Sequence, residues 1–584
     1  MARSEIADFF RGRSVLVTGA SGFMGKVLLE KLLFGCPDLR GIYILVRSKR
    51  YKSAETRTEE MLKIPLFDRL RNERPDALQK ILPLQGDITQ EELGLTPDNK
   101  ARIQEEVSVV FHCAATLRLE ARLKDAVEMN TAGTWRLLQL ARGMKSLKAF
   151  VHLSTAFCHC DLQELEERTY AAPVDPRDVM RVVQWMDETS LDTITPRHVS
   201  KYTLPQCLES YIQSILHTNQ STISNEMFER CSLIQPHPNT YTYTKRLAEQ
   251  LVSSQFPDLP VVIARPSIVT PAWKEPLPGW VDNLNGPIGL LVGGGKGVIR
   301  SMHCRGEYHA EVVPVDLAIN ALVAIAWRTG AFDTRYSSFC SDSSQPDFVL
   351  YSLTPMIPTF SQFLPSRVPQ QIPVYNITAS AMKRITWAEV LQKGRRIVYE
   401  NPFEMTIWYP DGNMRSSKLM HNLCVVFLHF LPAYVIDFLL MLFRQKRFMV
   451  RLQHKVQAGL EVLQYFTTRQ WQFRSDNFCS LQKQLSPSDR AVFYTDFEAV
   501  QDEEYLYHTV LGARQYCLKE PLSSLPRCRR NLKILYVVDR LWSVAFYLLL
   551  VWLVISYSDT ARHLLDVSTD CLKSLPMVRA FSEK

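Results

Sequence analysis

Thr18-Gly19-Ala20-Ser21-Gly22-Phe23-Met24-Gly25 is the stretch whose reading decides the fold. It follows Ser14-Val15-Leu16-Val17, a β-branched apolar run with the length of a buried strand. It precedes Lys26-Val27-Leu28-Leu29-Glu30-Lys31-Leu32-Leu33, whose leucines recur at helical spacing. Strand, glycine turn and helix together are the setting in which a glycine pattern carries meaning. Gly19 can take the tight turn, Gly22 leaves no side chain between backbone and a pyrophosphate, and Gly25 lets helix and strand pack closely. Phosphates would then meet free N–H groups at a helix N-terminus. Thr18, Ser21, Phe23 and Met24 complete the predicted cofactor-binding stretch. The spacing is G-x-x-G-x-x-G rather than G-x-G-x-x-G, and the competing reading is an ordinary strand-to-helix turn.

The next apolar run, Gly41-Ile42-Tyr43-Ile44-Leu45-Val46, reads as the second strand. An NAD-selective site would carry Asp or Glu after it for the ribose hydroxyls, whereas this chain has Arg47, Ser48, Lys49 and Arg50. Arg47 and Arg50 therefore predict a 2′-phosphate, hence NADPH. A solvated basic loop is the alternative. Further strand-like runs, Lys80 to Gln85, Val107 to His112 and Ala149 to Ser154, alternate with helical patterns. That alternation predicts an α/β chain with a Rossmann-type, doubly wound parallel sheet. Where strand ends would face the cofactor, Asp87 and Ile88 stand ready for the adenine. Cys113-Ala114-Ala115 offers small residues against which the nicotinamide half can lie. Asp87 as a helix N-cap is the plainer reading.

His112, Cys113, His152, Cys158, His159 and Cys160 invite a metal reading. Paired Cys-x2-Cys spacing is absent and strand residues alternate faces, so no metal is expected. Gly293-Gly294-Gly295-Lys296-Gly297 is no P-loop, because Gly follows the lysine where a metal-binding Ser or Thr is needed.

The predicted strand Ala149-Phe150-Val151-His152-Leu153 runs into Ser154-Thr155, and well downstream comes Asn239-Thr240-Tyr241-Thr242-Tyr243-Thr244-Lys245. On a helix Tyr241 and Lys245 are four apart and share a face. A nearby ammonium would lower the phenol pKa, letting Tyr241 deliver a proton to a carbonyl oxygen that receives hydride. Lys245 can also hold the nicotinamide ribose, and Ser154 or Thr155 would hold the oxygen in place. Tyr243 as a packed aromatic and Lys245 as a surface charge are the bland alternative.

With Ala264-Arg265-Pro266-Ser267-Ile268-Val269 and Gly279-Trp280-Val281-Asp282-Asn283-Leu284-Asn285-Gly286-Pro287 added, the chain resembles the fatty acyl-CoA reductases, in their arthropod form. These belong to the extended short-chain dehydrogenase/reductase superfamily. The resemblance implies NADPH-dependent reduction of a fatty acyl-CoA to a primary alcohol. It makes Tyr241 and Lys245 the catalytic pair, Thr155 or Ser154 their hydroxyl partner, and Gly19, Gly22 and Gly25 the pyrophosphate cradle. It divides the chain into a reductase domain at 10–320 and a C-terminal region at 375–485. An atypical insertion at 198–237 replaces the family's short link; a tunnel cap, a surface loop and a gene-model artefact all remain open for it.

At 584 residues, 46% apolar and a formal charge of +8, the chain is too long for one core. It has no basic run of the kind that binds nucleic acid. Thirteen unpatterned cysteines read as reduced thiols facing the cytosol. The charged start lacks an apolar core and predicts no secretory signal. Residues 541–557 hold no charge, have aromatic ends and follow Arg527 to Lys533, and so predict a transmembrane helix with a cytosolic N-terminal flank. Residues 423–443 are equally apolar, but His429, Pro432 and Asp437 interrupt them, which leaves a span, an interfacial helix and a protein-covered helix open. Membrane lipid is thus an expected partner, in the endoplasmic reticulum or alternatively the peroxisomal membrane, with the catalytic domain cytosolic. The oligomeric state stays open. Two rival readings are a membrane-bound extended reductase acting on a sterol or other lipid, and a non-catalytic membrane protein keeping the fold.

Overall fold

The computed structural model describes residues 4–49, 51–195, 233–256, 258–332, 372–379 and 382–560, together with 562, 563, 567 and 568. Arg50 and most of the 198–237 segment lie outside the described residues.

Seven strands form one sheet: β1 Ser14–Thr18, β2 Gly41–Val46, β3 Ile81–Gln85, β4 Val107–His112, β5 Ala149–Leu153, β6 Val261–Pro266 and β7 Val374–Ile377. Their order is β7-β6-β5-β4-β1-β2-β3, and every pairing is parallel. The chain builds outward from β1 to β3, then returns to the other side of β1 as β4. The two crossovers leave in opposite directions there, and a crevice opens beyond the C-terminal ends of β1 and β4.

Both faces of the sheet are covered, which is why its strands read as continuous apolar runs. Val15 and Val17 point to one core with Leu28, Leu29 and Leu32 of helix α1 (Phe23–Gly35). Leu16 points to the other, with Leu137 and Leu138 of α2 (Gly133–Arg142) and Val252 of α3 (Thr240–Gln255). Each of these buried leucines contributes roughly 1.5–3 kcal/mol. The first core also takes in α4 (Val315–Ala331), whose apolar residues are almost all buried.

The two regions that the resemblance separates are packed together. α4 runs past residue 320, and β7 joins the main sheet with Val374 opposite Ile263 and Ile377 opposite Pro266. Beyond it lie α5 (Lys418–Leu442, with a π-helical turn at Val425–Phe430), α6 (Met449–Thr467) and α7 (Leu525–Tyr557). α5 and α7 are long and apolar enough to cross a membrane. The basic residues Arg527 to Lys533 do not precede the last helix as a loop; they form its first turns.

Candidate active site

The glycine turn sits at the mouth of the crevice. Gly19 has φ +73°, and a Cβ there would stand 2.7 Å from the Ala114 nitrogen and the Cys113 carbonyl carbon, so the loops after β1 and β4 touch through this residue. A Cβ on Gly25 would fall 2.2 Å from the Gly19 carbonyl oxygen, which fixes how closely α1 seats on the turn. Gly22 caps α1 without any side-chain hydrogen bond, and Ser21 and Gly22 are exposed. The first N–H groups of this 13-residue helix have no side-chain cap, which suits the turn to an anion. Thr18 is buried; its hydroxyl lies 2.8 Å from His112 Nδ1 and accepts from the Ala114 N–H at 3.3 Å, tying β1 to β4. Phe23 stacks on Trp280, ring centroids 5.4 Å apart, while Met24 packs at the edge of the core. These features fit a dinucleotide.

Arg47 is largely exposed at the end of β2, with its guanidinium 3.7 Å from an Asp87 oxygen at the end of β3. The other Asp87 oxygen accepts from the Thr89 N–H at 3.0 Å and hydroxyl at 2.9 Å, so this carboxylate closes an Asx-type turn besides facing Arg47. Ile88 is buried under Gly133.

The catalytic candidates converge from two elements. β5 ends at Leu153, putting Ser154 and Thr155 at the rim, and Thr155 starts a short 3₁₀ turn by accepting the Phe157 N–H at 3.3 Å. α3 begins at an Asn239 cap that accepts the Thr242 N–H at 2.9 Å, which aims its first turns at that rim. Tyr241 is half-buried, and its hydroxyl lies among buried groups and shares a hydrogen bond with Thr155. Ser154 Oγ is buried and makes no well-formed hydrogen bond of its own, although it acts on the Cys158 thiol beside it. Lys245 is buried, and Nζ donates to the Leu153 carbonyl at 2.7 Å. That uses one of its three donors.

One expected sign is reversed. Burial, reinforced by the Cys158 thiol, pushes the Tyr241 phenol above its ordinary value, and the Thr155 hydrogen bond offsets this only in part. Burial pulls Lys245 down to about 8. Tyr241 is thus held protonated, as a proton donor requires. Tyr243 points away from the rim into an apolar cluster with Leu123, Val127 and Val179.

Sequence reading missed two supports. Asn130, on a π-helical turn, donates to Thr244 Oγ1 on α3 at 2.9 Å and accepts the Thr116 N–H at 2.8 Å, bracing the catalytic helix. Glu249, four residues beyond Lys245, accepts from Arg265 Nε at 2.9 Å and Nη2 at 2.6 Å. It also accepts from Cys158 Sγ at 3.2 Å and lies 3.0 Å from His159 Nε2. All four side chains are buried. Cys158, His159 and Glu249 have the spacing of metal ligands, but the Arg265 guanidinium already engages both carboxylate oxygens. Burial opposes ionisation of Glu249, yet Arg265 holds it well below the usual carboxylate range. The i, i+4 step from Lys245 was the available signal for Glu249; Asn130 had none.

A family profile described as Male sterility protein matches residues 17–322, and a second with the same description matches 428–520. Fatty acyl-CoA reductase 1 of Xenopus laevis is 34% identical over 580 residues, covering 99% of both chains. The Homo sapiens protein of that name is 33% identical over 579 residues with the same coverage. Fatty acyl-CoA reductase 2 of Mus musculus is 32% identical over 580 residues, again covering 99% of each. Among solved structures, the terminal R domain from the myxalamid PKS-NRPS biosynthetic pathway superposes with a TM-score of 0.50 at 16% identity. It covers 88% of this chain and 93% of that one, a likeness of fold.

Proposed function

The chain belongs to the fatty acyl-CoA reductases, and from that membership and the geometry of its site we propose that it reduces a long-chain fatty acyl-CoA to the primary alcohol with NADPH, using Tyr241, Lys245 and Thr155. The observation that carries the site assignment is the contact of the Tyr241 phenol with the Thr155 hydroxyl just past the end of β5, where the Leu153 carbonyl also holds the Lys245 ammonium, beside the glycine turn.

When bound, NADPH would supply one hydride to each of two reduction steps, a second NADPH replacing the oxidised cofactor between them. In the first, Tyr241 gives its proton to the thioester oxygen, which Thr155 orients, and a hemithioacetal results. Its collapse returns the hydroxyl proton to the Tyr241 phenolate and breaks the carbon–sulfur bond, releasing the aldehyde and the coenzyme A thiolate. In the second, the aldehyde oxygen takes the same place and a second proton from Tyr241 completes the alcohol. Ser154 lies one residue away as a further hydroxyl for the oxygen. Lys245, fixed by the Leu153 carbonyl, has donors left for the nicotinamide ribose.

The cofactor site comprises Thr18, Gly19, Ser21, Gly22, Phe23, Met24, Gly25, Arg47, Asp87, Ile88, Ala114 and Lys245. Arg47 is the residue assigned to the 2′-phosphate, and its exposed guanidinium supports that role. The second half of α7 is assigned as the membrane anchor, with Arg527 to Lys533 on the cytosolic side. The endoplasmic reticulum is the assigned membrane; co-localisation with peroxisomal markers instead would replace it. Long acyl chains partition into membranes, so an anchored enzyme meets its substrate there.

The test is turnover of the full chain in nanodiscs with NADPH or NADH and palmitoyl-CoA, stearoyl-CoA or a ketosteroid. Primary alcohol from the acyl-CoAs with NADPH is expected. Ketosteroid reduction without acyl-CoA turnover would reject the substrate class.

A further inference from the structure

The second apolar helix has one face it cannot turn outward. His429 Nε2 accepts the backbone N–H groups of Arg300 at 2.9 Å and Ser301 at 3.0 Å. His421 Nδ1 lies 3.0 Å from Ser301 Oγ. The Asp437 carboxylate accepts the N–H groups of Phe448, Met449 and Val450 at 2.9–3.0 Å, capping α6. These three polar side chains are eight residues apart and buried, the two histidines against Arg300 and Ser301 of the protein body and Asp437 against the start of α6. Two of the three interruptions of the apolar run, His429 and Asp437, are thus points at which the helix is attached. Crossing a bilayer would tear both histidines free and carry a carboxylate into the hydrocarbon.

The opposite face is bare. Leu423, Phe427, Leu431, Tyr434, Phe438 and Leu442 are exposed, Phe438 to 59% and Leu442 to 67%. α5 is followed by Arg444-Gln445-Lys446-Arg447, an exposed basic loop between exposed Phe443 and Phe448.

The depth of this face is set by α7. Asp539 is the last buried residue of α7, held to the body by Arg300 at 3.1 Å and by the Trp408 indole. Arg540 pairs with Asp411 at 3.2 Å, and apolar exposure on all sides begins at Leu541. Phe546, five residues further and so about 8 Å along the axis, meets Phe427 of α5 with ring centroids 6.3 Å apart. An amphipathic helix lying in a bilayer surface buries its apolar face about 5–10 Å deep. The two estimates coincide.

We propose that α5 is an in-plane membrane helix, and that Arg444, Lys446 and Arg447 bind anionic lipid headgroups beside it. The inference rests on reading α7 as the anchor, which sets the bilayer plane. The occupant of the exposed face is a lipid surface because the face is continuous with α7 at Phe427 and Phe546, and because its end is basic. Each basic residue near such a surface strengthens the contact by about fivefold.

The test uses the full chain in nanodiscs with a fluorescent amino acid in place of either Phe438 or Leu549, and lipids spin-labelled near the headgroup or near the chain end. Leu549 should be quenched more by the chain-end label and Phe438 more by the headgroup-proximal one. Stronger chain-end quenching at Phe438 would make α5 a span. No quenching there, with Leu549 quenched, would mean that protein covers the face. No quenching at Leu549 would overturn the anchor itself and the plane derived from it. Adding phosphatidylserine to phosphatidylcholine discs should raise headgroup-proximal quenching at Phe438. The combined variant Arg444→Glu, Lys446→Glu, Arg447→Glu should abolish that rise, and an equal response in variant and wild type would overturn the headgroup assignment.

Discussion

Replacing Tyr241 by Phe removes one oxygen from the site and leaves the ring. That oxygen shares a hydrogen bond with Thr155, whose hydroxyl keeps its contact to the Phe157 N–H at 3.3 Å. The folding cost is therefore that of one hydrogen bond, about 1 kcal/mol. Lys245 is held by the Leu153 carbonyl at 2.7 Å rather than by the phenol, so its contribution to cofactor binding stays. The proton donor, however, is lost entirely. General acid catalysis is worth about 10²- to 10⁴-fold, or ~2.7–5.5 kcal/mol of transition-state stabilisation. The expected pattern is a kcat reduced by that factor, an NADPH dissociation constant within about twofold of wild type (well under 1 kcal/mol), and a melting curve nearly unchanged. Single-turnover loss of nicotinamide absorbance, equilibrium cofactor titration and a thermal melt measure the three quantities separately. Near-wild-type turnover would refute the assignment of the acid. A joint loss of turnover, cofactor affinity and melting temperature would refute the claim that the phenol acts in chemistry rather than in packing.

Arg47→Asp should weaken NADPH binding and bring NADH closer to parity, since it removes a charge-assisted contact and sets a carboxylate beside Asp87; an unchanged cofactor preference in competition titrations would make Arg47 a surface residue. Because burial brings Lys245 to about 8, its charge is present below that pH and lost above it, so kcat/KM should fall as pH rises through about 8, and a pH–rate profile without that limb rejects the role. The same titration gives the cofactor-free protein added stability as pH rises from about 8 toward the ordinary lysine value of 10.5, since the unfolded chain keeps the proton longer. Glu249→Gln leaves Arg265 buried without its counter-charge and should cost about 3–5 kcal/mol in denaturant unfolding, while the wild-type melt should be indifferent to chelators; a chelator-sensitive melt would favour a metal at Cys158, His159 and Glu249.

What the sequence disclosed follows the range of the interactions involved. The glycine turn was legible because strand, turn and helix occupy one continuous stretch and the glycines answer clashes within it, Gly25 against Gly19 above all. That Tyr241 and Lys245 lie on one helix was legible because the four-residue spacing sits in a continuous helical stretch, Thr240–Gln255. The sign of the Tyr241 shift was not, because desolvation depends on what the rest of the chain piles around the phenol. β7 joins β6 from more than a hundred residues away, and nothing local to Val374–Ile377 announces that pairing. His429 and Asp437 looked like defects in an apolar run because their partners, Arg300, Ser301 and the start of α6, are supplied only by the fold.

The most direct measurement is lipid analysis of a heterologous host expressing the full chain, with the Tyr241→Phe chain expressed to the same level in parallel. New primary fatty alcohols in the wild-type culture and none above background in the variant are the predicted result. No new alcohol from a folded, membrane-retained wild-type chain, or equal alcohol from both, would contradict the account.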